Sequence, residues 1–180
     1  MSGKGKLVTS LLVSIILLDQ ASKIAVDRTI PLNHSIPVIE NLFNLTYIRN
    51  TGAAFGIFAG ENLPLRRALL FAGENLPLRR ALLIGFSVVA IGFVVVLLKR
   101  LPGMEKGLIV ALTFILAGAI GNLIDRLMYG EVIDFLDFYW SKYHWPAFNF
   151  ADSFITLGVL ATLYRLIRTK GQDPFSPSDS

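Results

Sequence analysis

The chain has 180 residues, 53% of them hydrophobic, a formal net charge of +4 and a mean hydropathy of +0.59. A soluble domain of this size needs more polar surface, so the class is an integral membrane protein of a few spans with no separate soluble domain. The absence of cysteine excludes thiol nucleophiles, disulfides and cysteine–metal clusters, and two distant histidines, His34 and His144, argue against a zinc hydrolase.

A helix crosses a bilayer with about 17–25 apolar residues. Four stretches qualify: Leu7 to Val26, Ala81 to Leu98, Gly107 to Ile124 and Phe148 to Ile167. The first follows Lys4 and Lys6, as a secretory signal would. Asp19 and Gln20 end its apolar run without a small-residue cleavage site, and further spans follow, so it reads as an uncleaved helix.

Between the first two spans, Pro31 and Pro37 bound a short apolar stretch. Phe43, Leu45, Tyr47 and Arg49 then alternate with Asn44, Thr46 and Ile48, the period of a strand. Asn50-Thr51-Gly52 signals a turn, followed by an apolar patch from Ala53 to Phe58. This predicts a small sheet on the outer membrane surface. Residues 58–70, Phe-Ala-Gly-Glu-Asn-Leu-Pro-Leu-Arg-Arg-Ala-Leu-Leu, recur unchanged at 71–83. Two copies do not make a solenoid, and such strict identity points to a recent duplication or an artefact. Thirteen residues inserted within a helix would turn its following face by roughly 220°. The expectation is therefore that the second copy starts the second span and the first is a peripheral excursion.

Basic residues orient the spans. Lys4 and Lys6 precede the first, Lys99, Arg100 and Lys106 lie between the second and third, and Arg168 and Lys170 follow the fourth. All fall on one side of a four-span topology, which the positive-inside rule makes cytoplasmic, with both termini there. On the other side, Tyr139, Trp140, Tyr143 and Trp145 form an interfacial aromatic belt between Tyr129 and Phe150. The aromatics are interfacial and the cations sit at span ends, so no nucleic-acid partner is expected. The tail from Gly171, rich in Pro, Ser and Asp, reads as disordered.

Charge inside an apolar chain costs a few kcal/mol or more, so it marks a functional site by default. Asp19 and Lys23 are four apart on one helix face and suit a structural ion pair. Ser22-Lys23 as a hydrolytic pair is the alternative, but adjacent helical residues point about 100° apart. In the third span, Ala117, Gly118, Ala119 and Gly121 make a close-packing surface. Asn122, Asp125 and Arg126 follow, and Asp125 has a cation next to it.

Asp134 and Asp152 have apolar neighbours instead: Val132, Ile133 and Phe135 for one, Phe150 and Ala151 for the other. Two such carboxyls brought together leave one acid and one base, as an aspartic hydrolase requires. By spacing alone the partner of Asp152 is Asp134, Asp137 or Asp125, and Asp152 could instead cap the fourth span. A proton-coupled carrier is the rival function, but the carboxylates cluster at one face and no inverted repeat is present.

Five segments carry a resemblance to the bacterial lipoprotein signal peptidases, the type II signal peptidase family: Asp19-Gln-Ala-Ser-Lys23, Asn50-Thr-Gly-Ala-Ala-Phe55, Gly121-Asn-Leu-Ile-Asp-Arg126, Val132-Ile-Asp-Phe135 and Phe148-Asn-Phe-Ala-Asp152. The resemblance spans nearly the whole chain. It implies a membrane all-α fold of four transmembrane helices with a small extracytoplasmic β-cradle between helices one and two. Residues 1–170 would be one peptidase domain. The implied activity is that of an intramembrane aspartic endopeptidase, needing no cofactor or metal, which cleaves diacylglyceryl-modified prolipoproteins just before the lipid-bearing cysteine. Asp134 and Asp152 would be the catalytic pair. Asn50, Gly52, Asn122, Arg126 and Asn149 would line the cleft, and Asp19, Lys23 and Asp125 would support it. The expected protein is a monomer in the bacterial inner membrane, with its site toward the extracytoplasmic face and membrane lipid around it. The family pattern has one copy where this chain has two.

Overall fold

The computed structural model describes residues 2–52, 76–103 and 105–168. The first copy of the repeat and the tail from Gly171 lie outside the described residues. Four helices, α1 (Gly3–Thr29), α2 (Leu76–Arg100), α3 (Lys106–Met128) and α4 (Phe150–Arg168), are long and apolar enough to cross a membrane. Strands β1 (Ser35–Ile39) and β2 (Phe43–Asn50) follow α1. Strands β3 (Val132–Trp140) and β4 (Tyr143–His144) precede α4. The chain forms two compact units, one from residues 2–19, 89–103, 105–121 and 150–168, the other from 20–52, 76–88 and 122–149.

In the helical unit, Ser2 opens α1 by accepting the Gly5 N–H at 3.2 Å, as an N-cap does. Pro102 follows the end of α2, where the Lys4 ammonium donates to Leu98 O in the last turn and, at 2.6 Å, to Leu101 O just beyond it. Val94, Leu98, Leu108, Ile109, Leu112 and Leu116 form its buried core. Lipid tails are as apolar as leucine, so contact quality, not water expulsion, holds such helices together. Glycine supplies that contact. A Cβ on Gly158 would sit 2.5 Å from Ala111 O and 2.7 Å from Ile115 Cγ1, and one on Gly118 would meet Ala151 O. α3 and α4 therefore touch backbone to backbone, with Phe114 and Phe154 edge to face at 5.1 Å beside the contact. Glu105, before α3, takes three bonds of 2.8 to 3.2 Å from the Arg165 guanidinium of α4.

The other unit is built on an antiparallel sheet in the order β1-β2-β3-β4. The alternation read in the sequence gives β2, and the stretch around Pro37 pairs with it as β1. Half the strands, however, come from between α3 and α4, where the sequence suggested only an aromatic belt. Val132-Ile-Asp-Phe-Leu-Asp is buried at nearly every position, so it lacks the alternation that marks a half-exposed strand. Along β2 the buried residues include the polar Asn44 and Thr46. Asn44 donates to its cross-strand partner Asp137 at 2.9 Å, and Thr46 donates to His34 O at 3.2 Å. Between Leu45 and Ile48 the pairing with β3 slips by one residue, a β-bulge in β2.

Beyond β4 the chain returns along β3. Leu136 and Phe148 exchange backbone hydrogen bonds of 2.8 and 3.1 Å. That return delivers Asn149 beside Ile133 and Asp134. The second copy of the repeat opens α2, and its Arg80 donates to Tyr129 O at 3.1 Å. The guanidinium lies where a Cβ on Gly130 would be, and Gly130 turns the chain from α3 into β3 at φ +77°.

Candidate active site

In the sheet-bearing unit, Asp134 is 1% exposed, and both its oxygens accept side-chain amides. Asn149 Nδ2 reaches Oδ1 at 2.7 Å, and Asn50 Nδ2 reaches Oδ2 at 2.9 Å. Asn50 in turn is fixed by the turn after β2, where the Gly52 N–H donates to its Oδ1 at 2.8 Å. The bulge sits immediately before this turn, and bulges re-aim side chains beside active sites. Gly52 thus acts through its backbone.

Asn149 has further contacts. Its Nδ2 lies 3.2 Å from both Asn122 Oδ1 and Ile133 O. Asn122 Oδ1 also accepts from Lys23 Nζ at 3.1 Å. Lys23 pairs with Asp125 Oδ2 at 2.9 Å, both residues being essentially sealed from solvent. Asp125 Oδ1 accepts from Gln20 at 3.0 Å, and Oδ2 takes the Ile133 N–H at 3.2 Å. One continuous chain of polar contacts therefore runs from Lys23 through Asn122 and Asn149 to Asp134. Asp125 fastens α3 to the strand that carries Asp134. Arg126 Nη1 donates to Asn122 O at 3.3 Å.

Some of this was not legible in the sequence. The cation at 2.9 Å from Asp125 is Lys23 of α1, not only its sequence neighbour Arg126 being available. Gln20 was missed as a partner, although it stands three residues before Lys23, on the same helix face. Within the β2 bulge, Tyr47 donates to Asp27 and accepts from Arg49 Nε at 2.9 Å. Burial, then the bond to Asp27, pushes the Tyr47 phenol above its ordinary range. Asp137, one of the candidate partners for Asp152, takes Asn44 and the His144 imidazole at 2.9 Å.

In the helical unit, Asp152 is buried in the first turn of α4. The helix begins at Phe150, so Asp152 stands inside it and is not the N-cap. Asp19 of α1 serves that helix end instead, accepting the Ala151 N–H at 2.9 Å, where a carboxylate also meets the positive end of the helix dipole. Gly121 makes room for it: a Cβ there would lie 2.6 Å from Asp19 Oδ2. The bond from Ala151 thus ties Asp19 to the helix start that carries Asp152.

Comparisons with known proteins agree with one another. A family model described as signal peptidase (SPase) II matches residues 11–168. The lipoprotein signal peptidase of Geobacter sulfurreducens is 43% identical over 163 residues, covering 91% of this chain and 92% of that protein. That of Desulforapulum autotrophicum is 46% identical over 159 residues, covering 88% and 90%. Among solved structures, a bacterial membrane enzyme determined by the in meso method at 2.3 Å superposes with a TM-score of 0.75 at 28% identity, covering 92% of this chain and 90% of that one. With most of its length matched in sequence and in fold, this multi-pass membrane chain belongs to the signal peptidase II family.

Proposed function

We propose that the chain is an intramembrane aspartic endopeptidase that removes the signal peptide from diacylglyceryl-modified prolipoproteins, cutting just before the lipid-bearing cysteine. Family membership makes it a protease that acts on prolipoproteins in the membrane; the aspartic chemistry and the cleavage point are the reading advanced here. The observation that carries it is Asp134, a buried carboxylate gripped on both oxygens by the side-chain amides of Asn149 and Asn50.

An ionised carboxylate is acceptor-only, so two donated amides suit Asp134 to the role of base. It takes a proton from water as the hydroxide oxygen bonds to the scissile carbonyl carbon. Asp152, entering protonated, gives its proton to the carbonyl oxygen, so a neutral gem-diol forms. Collapse breaks the C–N bond, with the proton on Asp134 passing to the leaving amine and a gem-diol proton returning to Asp152. Asn122 and Arg126 would hold the extended signal-peptide backbone. The substrate is itself a membrane segment with lipid attached, so a site reached from the outer leaflet needs no aqueous entry path. By charge distribution both termini are cytoplasmic and the site faces the extracytoplasmic side of the inner membrane.

The test is a gel-shift assay with a purified diacylglyceryl-modified precursor. Asp134→Asn and Asp152→Asn should each abolish cleavage while leaving membrane insertion intact, and the parent's activity should resist chelators and serine reagents. Normal precursor processing by either variant, in cells lacking any other copy, would refute the pair.

A further inference from the structure

Where α1 begins and α2 ends, the helical unit holds a surface cavity of about 440 Å³. Its lining is of two kinds. Val8, Val95, Leu98 and Leu116 give it apolar walls, while Lys4 and Lys99 bring positive charge. Among the described residues that line it there is no carboxylate. Lys4 is held in place: its ammonium donates to Leu98 O in the last turn of α2 and to Leu101 O just after it. An ammonium has three protons, and these two bonds use two of them. Lys99 is exposed beside it. The nearest acid in sequence, Glu105, already has both oxygens on Arg165, so it does not neutralise the lysines.

The chemistry of an occupant follows from this pairing. A neutral apolar molecule gains nothing from Lys4 and Lys99, and a small inorganic anion gains nothing from Val8, Val95 and Leu116. An amphiphile with a negatively charged head satisfies both. The cavity also lies where α1 begins and α2 ends, and the ends of membrane-spanning helices are where lipid headgroups stand. Lys4 and Lys6 at the start of α1, Lys99 and Arg100 at the end of α2 and Lys106 at the start of α3 give the pattern of a cytoplasmic face. Basic pockets between spans on that side suit anionic lipid headgroups.

We infer that this cavity binds one anionic phospholipid of the cytoplasmic leaflet, its phosphate between Lys4 and Lys99 and an acyl chain against Val8, Val95 and Leu116. No residue of it belongs to the proposed peptidase site, so the two readings stand or fall separately.

The experiment uses the purified full-length protein in detergent. Phosphatidylglycerol, phosphatidylcholine of the same chain length, and inorganic phosphate are added in turn, with retained lipid counted by native mass spectrometry and unfolding followed thermally. One phosphatidylglycerol should be retained and should raise Tm by roughly 5 °C at saturating lipid; the other two should do neither. Lys99→Gln should weaken retention about fivefold. Lys4→Gln also removes a helix cap, so the second variant is Val95→Trp, which fills the cavity and keeps both lysines. It should lose the retained lipid while cleaving the precursor at the parent rate. Equal retention of phosphatidylcholine, an equal shift with phosphate alone, or undiminished phosphatidylglycerol retention in both variants would overturn the assignment.

Discussion

Asn149 places its side-chain amide 2.7 Å from Asp134 Oδ1 and, through the same nitrogen, 3.2 Å from Asn122 Oδ1. The residue that steadies the proposed base is thus tied to the polar chain that leads back to Lys23. Asn149→Ala should remove a bond to a charged group worth about 2 kcal/mol. Cleavage of the lipid-modified precursor should fall by roughly thirtyfold in kcat, with a much smaller change in KM. Unaltered kcat would mean that Asp134 does not depend on this amide.

Lys23 and Asp125 are both about 1% exposed. Breaking a buried pair by removing one partner costs about 3–5 kcal/mol, because a charge is left in a poor solvent. Lys23→Met should therefore lower the unfolding temperature sharply in detergent. Lys23→Met combined with Asp125→Asn should recover much of the loss, since no charge is left unpaired, Asn keeps one oxygen for the Ile133 N–H, and its NH2 can meet the Gln20 amide turned to present its oxygen. Asp125→Asn alone should mainly reduce stability. Full thermal stability with complete loss of cleavage would exchange the roles proposed for Asp125 and Asp134.

Tyr47 gives a prediction in alkali. Its folded-state pKa is raised by burial and by the bond to Asp27, so above about pH 10 the unfolded chain loses its proton first. The folded state then binds more protons than the unfolded one, and stability must fall as pH rises through that window. Below it the contribution is fully present. Thermal unfolding between pH 9 and 11 should show the decline, and Tyr47→Phe should flatten it; an identical slope in the variant would place the effect elsewhere.

Deleting residues 58–70 leaves one copy of the repeat, and the resulting sequence is the same whichever copy is removed. α2 starts within the second copy, and Arg80 of that copy anchors to the Tyr129–Gly130 turn. The shortened chain should thus keep its Tm within about 2 °C and still process precursor. Collapse of expression would show that the repeat has become structural.

The four helices were legible because twenty-residue apolar stretches leave little choice, and β2 because its alternation survives on a half-exposed strand. β3 was not, since burial on both faces erases the period, and its partner β2 lies about ninety residues earlier. Asp134, Asp152 and Asn122 could be picked out as polar residues in an apolar setting, whereas Asn50, read as part of a turn, and Asn149 entered the site only through the family resemblance. What each one touches could not. Lys23 reaches Asp125 across about a hundred residues of sequence, and Asp152 competed with a capping role that the structure gives to Asp19.

The slipped pairing in β2 has a consequence for side-chain parity. Phe43 and Leu45 pair with Phe138 and Leu136, while Asn44 pairs with Asp137 on the opposite face. In an unbroken strand Asn50 would share the face of Asn44 and fall opposite Glu131. The one extra residue before Ile48 reverses even and odd, so Asn50 arrives opposite Val132, on the side where Asp134 points. The bulge is therefore as much a part of the site as the residues that flank it. The same residues in a straight ladder would set Asn50 opposite Glu131 and carry its amide to the face away from Asp134.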